Sequence, residues 1–350
     1  MMKLTGATIL VVGGAGFVGS NLVKRLLKEG AASVTIVDNL LSADPSNISE
    51  DERVDFRRGS IADHKILDDI DDKYEIVFHL ATFHGNESSI HDPLADHANN
   101  LVTTLNLFEH LKSFKRLRRV VYSSTGCALA PKGEVEAEAV CEDGPIPIDY
   151  DSPYQISKVV GEMYATYFHH RHRLPVVRAR FQNVYGPSEI LGAGEWRGTS
   201  ATIWRNVVPI FVYRALKSQP LQVHGRGEAT RDFIYVEDIV SGLIRCALTH
   251  GIEGDVFNLA SGHETSIRRL AEAVNLMTKN EAGIKELPMR DWDRSIHRFG
   301  STEKSERLLR FKAQTLFDDG LKLTVNWARQ NLSLIDRCIQ QHHQFYTPLF

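Results

Sequence analysis

In the segment DSPYQISK, Tyr154 and Lys158 place a phenol and an ammonium four residues apart. At this spacing on a helix the two side chains share one face, one above the other. The cation stabilises a phenolate and pulls the phenol's pKa towards the working pH, which makes the oxygen a base. Such a base suits the hydroxyl of an alcohol whose carbon is losing hydride. A second candidate patch is RVVYSSTGCALA, where an apolar run gives way to Ser123, Ser124 and Thr125 and then to Gly126 and Cys127. A row of hydroxyls can bind a polar substrate and relay a proton. Neither residue after it can serve as a strong acid or base at neutral pH.

Hydride chemistry needs an acceptor, and VVGGAGFVGS offers a place for one. Gly13, Gly16 and Gly19 follow an apolar run and open a helical pattern. In a strand–turn–helix the first glycine permits the tight turn, the second lets a pyrophosphate approach the backbone, and the third allows close helix–strand packing. The helix N-terminus then presents free N–H groups to phosphate. Asp38 ends the next apolar run, where a carboxylate can accept from both ribose hydroxyls and would repel a 2′-phosphate. The pattern therefore favours NAD over NADP. The competing reading is a glycine-rich turn followed by a surface aspartate.

These groups need a frame. Runs at 8–13, 33–38, 53–59, 75–81, 118–124 and 175–186 are predicted strands, several of them apolar on both faces, as in parallel sheets covered on each side. Between them lie helical patterns, one from Pro93 to Lys112 and one after Ser152. The alternation predicts an α/β fold with a Rossmann-type doubly wound parallel sheet. After Pro187 the pattern loosens into a Gly-rich connection, a helix near 202–218, the segment RDFIYVED, a helix near 237–249, a helix from Ser266 and one or two helices from Leu316 to His343. We divide the chain into residues 1–187, binding dinucleotide, and 188–350, a smaller, mostly helical substrate lobe, with the last strands of the sheet free to interleave with it.

The bulk numbers exclude several classes. A net charge of -3 gives no basic footprint for nucleic acid. No apolar run reaches the ~20 residues that span a bilayer, so a membrane partner is not expected. The four cysteines, Cys127, Cys141, Cys246 and Cys338, show no metal or disulfide spacing, which fits a reducing cytoplasm. The run HHRHR, His169 to Arg173, suits a helix C-terminus better than a metal, and no metal site is expected.

Taken together, Gly13/Gly16/Gly19, Asp38, the SST strand end, Tyr154/Lys158 and RDFIYVED resemble the extended short-chain dehydrogenase/reductase family, in its NAD-dependent nucleotide-sugar epimerase/dehydratase branch. The likeness covers nearly the whole chain and extends to sugar epimerases of lipopolysaccharide O-antigen clusters. It implies cofactor contacts from Gly13, Gly16, Phe17, Val18, Gly19, Asp38, Asn39, Ser60, Ile61, Leu80, Ala81, Asn100, Ser123, Tyr154 and Lys158. It makes Thr125 the hydroxyl that binds the sugar's 4-OH and relays its proton. Asn183, Arg231 and Arg290 are implied to bind the sugar-nucleotide diphosphate, a role that suits the arginine fork. Ser60 departs from the family, which commonly has Asp near the adenine. The helices carrying Asn100 and Tyr154 match those that pair as a four-helix bundle in homodimers, with packing inside one subunit as the other account of their apolar faces.

Related 4,6-dehydratases follow the catalytic hydroxyl with Asp–Glu, and related decarboxylases with Glu. Gly126 and Cys127 stand there here, which favours C4 epimerisation through a 4-keto sugar, with UDP as the family's usual nucleotide. A 4-dehydrogenase or dehydratase is the enzymatic alternative, and an NAD(H)-sensing regulator the non-enzymatic one. In ATFHGNESS, His84 and Glu87 either contact the sugar or belong to a loop that closes over the nicotinamide. Trp196, Arg197 and Arg205 either hold a ring or a sugar carboxylate, which raises a hexuronic acid as substrate, or build a structural loop.

Overall fold

Ile9 and Val11 turn to one face of the first strand and Leu10 and Val12 to the other, and all four are buried. A strand apolar on both sides belongs inside a covered parallel sheet. The computed structural model describes residues 3–83, 85–126, 138–290, 293 and 295–345. Its first half runs β1 (Thr8–Val12), α1 (Phe17–Lys28), β2 (Ser33–Asp38), β3 (Val54–Arg58), α2 (His64–Asp68), β4 (Ile76–His79), α3 (Asn86–His91), α4 (Pro93–Asp96), α5 (Thr103–Leu111), β5 (Arg119–Thr125), α6 (Pro153–His172) and β6 (Val176–Phe181). The second half continues with β7 (Asn183–Tyr185), α7 (Val207–Leu216), β8 (Leu221–His224), β9 (Thr230–Tyr235), α8 (Val236–Leu248), β10 (Val256–Leu259), β11 (Glu264–Ser266), α9 (Ile267–Thr278), β12 (Ile284–Leu287), α10 (Phe317–Gln330) and α11 (Leu332–Gln340).

The main sheet has seven parallel strands in the order β3-β2-β1-β4-β5-β6-β10. This is the doubly wound α/β topology expected from the sequence. Leu22 and Leu26 of α1 pack with Ile239 and Leu243 of α8 on one face. Leu107, Phe108 and Leu111 of α5 pack with Ala165 and Phe168 of α6 on the other. The edge strand β10 comes from the second half of the chain and pairs with β6. A third core joins α7, α9 and α10 through Phe211, Leu270, Val274, Leu321 and Val325. Beside it stand the small sheets β11-β9-β7 and β12-β8. The order reverses between β1 and β4, where a doubly wound sheet opens a crevice at its carboxyl edge.

Two elements differ from the sequence reading. The strand expected over 175–186 breaks at Gln182. β6 stays in the main sheet, whereas β7 leaves to pair with β9. The apolar run is continuous because both pieces are half-covered, so periodicity alone cannot see the change of partner. The helix expected from Pro93 to Lys112 contains a π-helical segment, His97–Val102. Thr103 and Thr104 donate their hydroxyls to the Asn99 and Asn100 carbonyls, each at 2.6 Å, and Asn99 Nδ2 donates to the Ala95 carbonyl at 2.9 Å. Such side-chain bonds compete with the regular ladder and widen the helix.

Candidate active site

The glycine turn is built for close approach. Gly13 has φ +88°, and a Cβ there would lie 2.5 Å from the Ala81 amide nitrogen. A Cβ on Gly19 would lie 2.1 Å from the Gly13 carbonyl oxygen, so any side chain would push α1 off the turn. Gly16 is the N-cap of α1, which has no side-chain cap and no acidic residue in its first turn. Its amides are left for an anion. Asp38 accepts from the amides of Ala15 at 3.0 Å and Leu40 at 2.9 Å. Burial nevertheless raises its pKa, with those amides opposing the rise.

A cleft of about 910 Å³ opens along this edge. Gly13, Gly16, Phe17, Val18, Gly19, Asp38, Asn39, Ser60, Ile61, Leu80 and Ala81 line one end of it. Ser123, Thr125, Tyr154 and Lys158 also line it, as do Asn183, Arg231 and Arg290. Asn100 stands behind the wall instead. Its Oδ1 accepts from the Phe83 amide at 2.7 Å and the Thr82 hydroxyl at 3.0 Å, so it shapes the loop after β4. His84 and Cys127 lie outside the described residues.

Tyr154 stands in the first turn of α6, which starts where Ser152 caps the Gln155 amide and Pro153 occupies the first helical position. The Tyr154 amide donates to Ser89 Oγ at 3.1 Å, and Ser152 Oγ donates to Asn86 Oδ1 at 2.9 Å, so α3 fixes this turn. One turn on, Lys158 is 3% exposed, and its Nζ donates to the Ser123 carbonyl at 3.1 Å. It also lies 5.4 Å from the centre of the Tyr122 ring. Burial lowers its pKa to about 8, while the carboxylates of Asp96 and Glu162 work against that fall. His79 lies near Lys158 and is kept neutral, burial taking its pKa down to about 3.

The far end of the cleft holds groups that the sequence reading missed. Arg231 Nη2 donates to Asp293 at 2.6 Å, and Arg298 donates to the other oxygen of the same carboxylate. Arg298 lies in no recognisable motif, and only the fold brings it to Arg231. Arg290 reaches Glu87 at 3.6 Å, an ion pair across the cleft mouth. Glu189 and Asn206 meet in the wall, the amide donating to the carboxylate. Burial lifts the Glu189 pKa to about 7. Arg205 donates to the carbonyls of Ser42 at 3.0 Å and Ala193 at 2.6 Å, and Arg197 stacks 5.1 Å from the Phe83 ring. Trp196 stacks on Phe345 at 5.5 Å. These contacts supply a structural reason for the WRGTSATIWRN segment, while Arg205 also faces the cleft.

Residues 9–260 match the NAD dependent epimerase/dehydratase family. The Bordetella bronchiseptica enzyme WbmF, solved with NAD+ and UDP, is 53% identical, covers 97% of this chain and 98% of its own, and superposes with a TM-score of 0.87. WbmF has also been solved with NADH. The UDP-glucose 4-epimerase of Mycolicibacterium smegmatis is 31% identical over 91% of this chain and 98% of its own length. The UDP-glucuronate 4-epimerase of Thermodesulfobacterium geofontis is 30% identical over 93% and 97%.

Proposed function

Because the chain belongs to the NAD dependent epimerase/dehydratase family, we propose that it is a nucleotide-sugar C4 epimerase acting on a UDP-hexose or UDP-hexuronic acid. Its cofactor is NAD, and the chain's own residues fit it. The Gly13–Gly19 turn leaves no room for side chains at those two positions, the α1 amides face the cleft edge, and Asp38 stands at the end of β2. When bound, NAD supplies the hydride acceptor and donor that carry a C4 alcohol to a ketone and back.

The observation that carries the choice of reaction is the space after Thr125. A Cβ on Gly126 would lie 2.1 Å from the Gln182 side-chain nitrogen. Gly126 itself carries no side chain, so no acidic group directly follows the hydroxyl. Elimination or decarboxylation would need such a group, whereas oxidation and re-reduction do not. In the proposed cycle Tyr154 takes the 4-OH proton, Lys158 keeps the phenolate stable, and Thr125 hydrogen-bonds the same hydroxyl and relays its proton. The ketone then turns over within the cleft, and Tyr154 returns the proton to the opposite epimer. Arg231 and Arg290, with Asn183, hold the diphosphate. Arg231 would exchange part of its contact with Asp293, and Arg290 its contact with Glu87, for phosphate oxygens.

We assign the enzyme to the cytoplasm and to the supply of activated sugars for cell-surface polysaccharide such as O-antigen. Cys141, Cys246 and Cys338 are free thiols, which supports that compartment. No helix among the described residues is long and apolar enough to cross a membrane. We also infer a homodimer through the helices carrying Asn100 and Tyr154. Incubation with UDP-glucose, UDP-galactose, UDP-glucuronic acid and UDP-N-acetylglucosamine tests the reading, with NMR of the products. C4 epimers should interconvert without added reductant, and Tyr154→Phe should lower kcat at least about a hundredfold. Net NADH formation would mark a 4-dehydrogenase.

A further inference from the structure

On the cofactor side the cleft wall continues past Asp38 into the loop of residues 39–47. Leu41, Ser42, Ala43 and Asn47 line the cleft together with Asp38 and Asn39. Asn47 Nδ2 donates to the Ala15 carbonyl of the glycine turn at 3.3 Å and to the Ser188 carbonyl at 3.2 Å. The regular part of this loop is one short 3₁₀ turn, Pro45–Asn47. Contacts from elsewhere must therefore hold its shape.

Those contacts come from two distant stretches of chain. After β7, the Glu195 amide donates to the Leu41 carbonyl at 3.1 Å. Arg205 ties the Ser42 carbonyl at 3.0 Å to the Ala193 carbonyl at 2.6 Å. From α11, Arg337 Nη2 and the Cys338 thiol donate to Asp44 at 3.0 and 3.4 Å, and Asp44 is 6% exposed. At the end of α11, Gln341 Nε2 donates to the carbonyls of Gly192 at 2.8 Å and Gly194 at 3.0 Å. A Cβ on Gly192 would lie 2.5 Å from the Cys338 carbonyl oxygen, and one on Gly194 2.3 Å from that of Leu41. Residues 192–194 are thus pressed between α11 and the loop. Ile335, Cys338 and Ile339 anchor α11 in the core shared by α7, α9 and α10.

We propose that α11 is a strap over the cofactor side of the cleft: Arg337 and Gln341 are positioning residues that hold the 39–47 loop closed and so set the rate at which NAD leaves. A reaction that oxidises and re-reduces one carbon returns NAD to its starting state, so slow release does not limit it. The strap acts on the cofactor whichever sugar is turned over, and its test needs no sugar.

Enzyme loaded with NADH is chased with excess NAD+, and release is followed by the loss of bound-NADH fluorescence. Arg337→Ala with Gln341→Ala removes three of these hydrogen bonds through two exposed residues. Release should become at least about tenfold faster. Hydrogen exchange of the 39–47 amides in the NAD-bound enzyme should rise with it. Lys322→Ala, exposed on α10, should change neither. Unchanged release overturns the strap, including the case where the loop amides exchange faster, which would mark a stabilising tie alone. Equal acceleration by Lys322→Ala also overturns it, since that would be general loosening. Should the double variant not fold, Gln341→Ala alone should speed release at least about threefold and carries the same test. If release responds as expected while no UDP-sugar is epimerised, the proposed function fails and the strap stands.

Discussion

At Lys158 stability and activity respond oppositely to pH. The native state binds this proton less tightly than the unfolded chain, since burial lowers the pKa from 10.5 to about 8. The cost of holding the cation is therefore fully present below about 8 and is relieved as the pH rises towards 10.5. The phenolate of Tyr154, by contrast, needs the cation. Turnover should fall as the pH rises through about 8, and a pH–rate profile of the wild-type enzyme would show that limb. Lys158→Met should abolish the limb and cost at least about a hundredfold in kcat. A profile that stays flat above that point would mean the ammonium is not what tunes the base.

Between elements, Arg180 on β6 and Glu162 on α6 form a buried pair, each side chain 4% exposed. Removing one partner leaves a buried charge without its match, which typically costs about 3–5 kcal/mol. Glu162→Ala should therefore lower the Tm strongly in thermal unfolding. Arg25→Ala at the exposed Arg25–Glu29 pair should cost less than about 1 kcal/mol. Equal losses would show that burial does not set the worth of these pairs.

The same scale explains what could be read in advance. The glycine turn, Asp38, the hydroxyl row and the Tyr154–Lys158 spacing are local patterns, and these residues line the cleft. Arg298 and Glu189 carry no local signature. Arg298 matters because its carboxylate partner, Asp293, is shared with β9. Gln182 read as one more strand residue, and only the break between β6 and β7 turns its amide towards Gly126. Local periodicity carries the frame, while contacts between distant segments carry the specificity.

For the molecule as a whole, the helices beside the site leave apolar groups in solvent. Leu94 is 81% exposed before the π segment, and Ile156, Met163 and Tyr167 on α6 are 47%, 53% and 52% exposed. Ile156, Met163 and Tyr167 are spaced by seven and four residues and so fall on one helical stripe. Such a stripe supports the homodimer proposed above. Met163→Glu should convert a dimer to a monomer in sedimentation, since charge in a buried interface is costly. A wild-type protein that sediments as a monomer at every concentration would refute the dimer. The same surface lies behind α6, so dimer formation would brace the helix that carries the reacting pair.

In the proposed reaction this cleft oxidises and re-reduces one carbon without elimination. Its most direct test follows UDP-glucose and UDP-glucuronic acid deuterated at C4, in ordinary water, by NMR with the NAD-bound enzyme. The site described above predicts the C4 epimer of at least one of them with deuterium still on C4 and no accumulation of NADH. Loss of water from the sugar, release of carbon dioxide, or a C4 hydrogen drawn from solvent would contradict it.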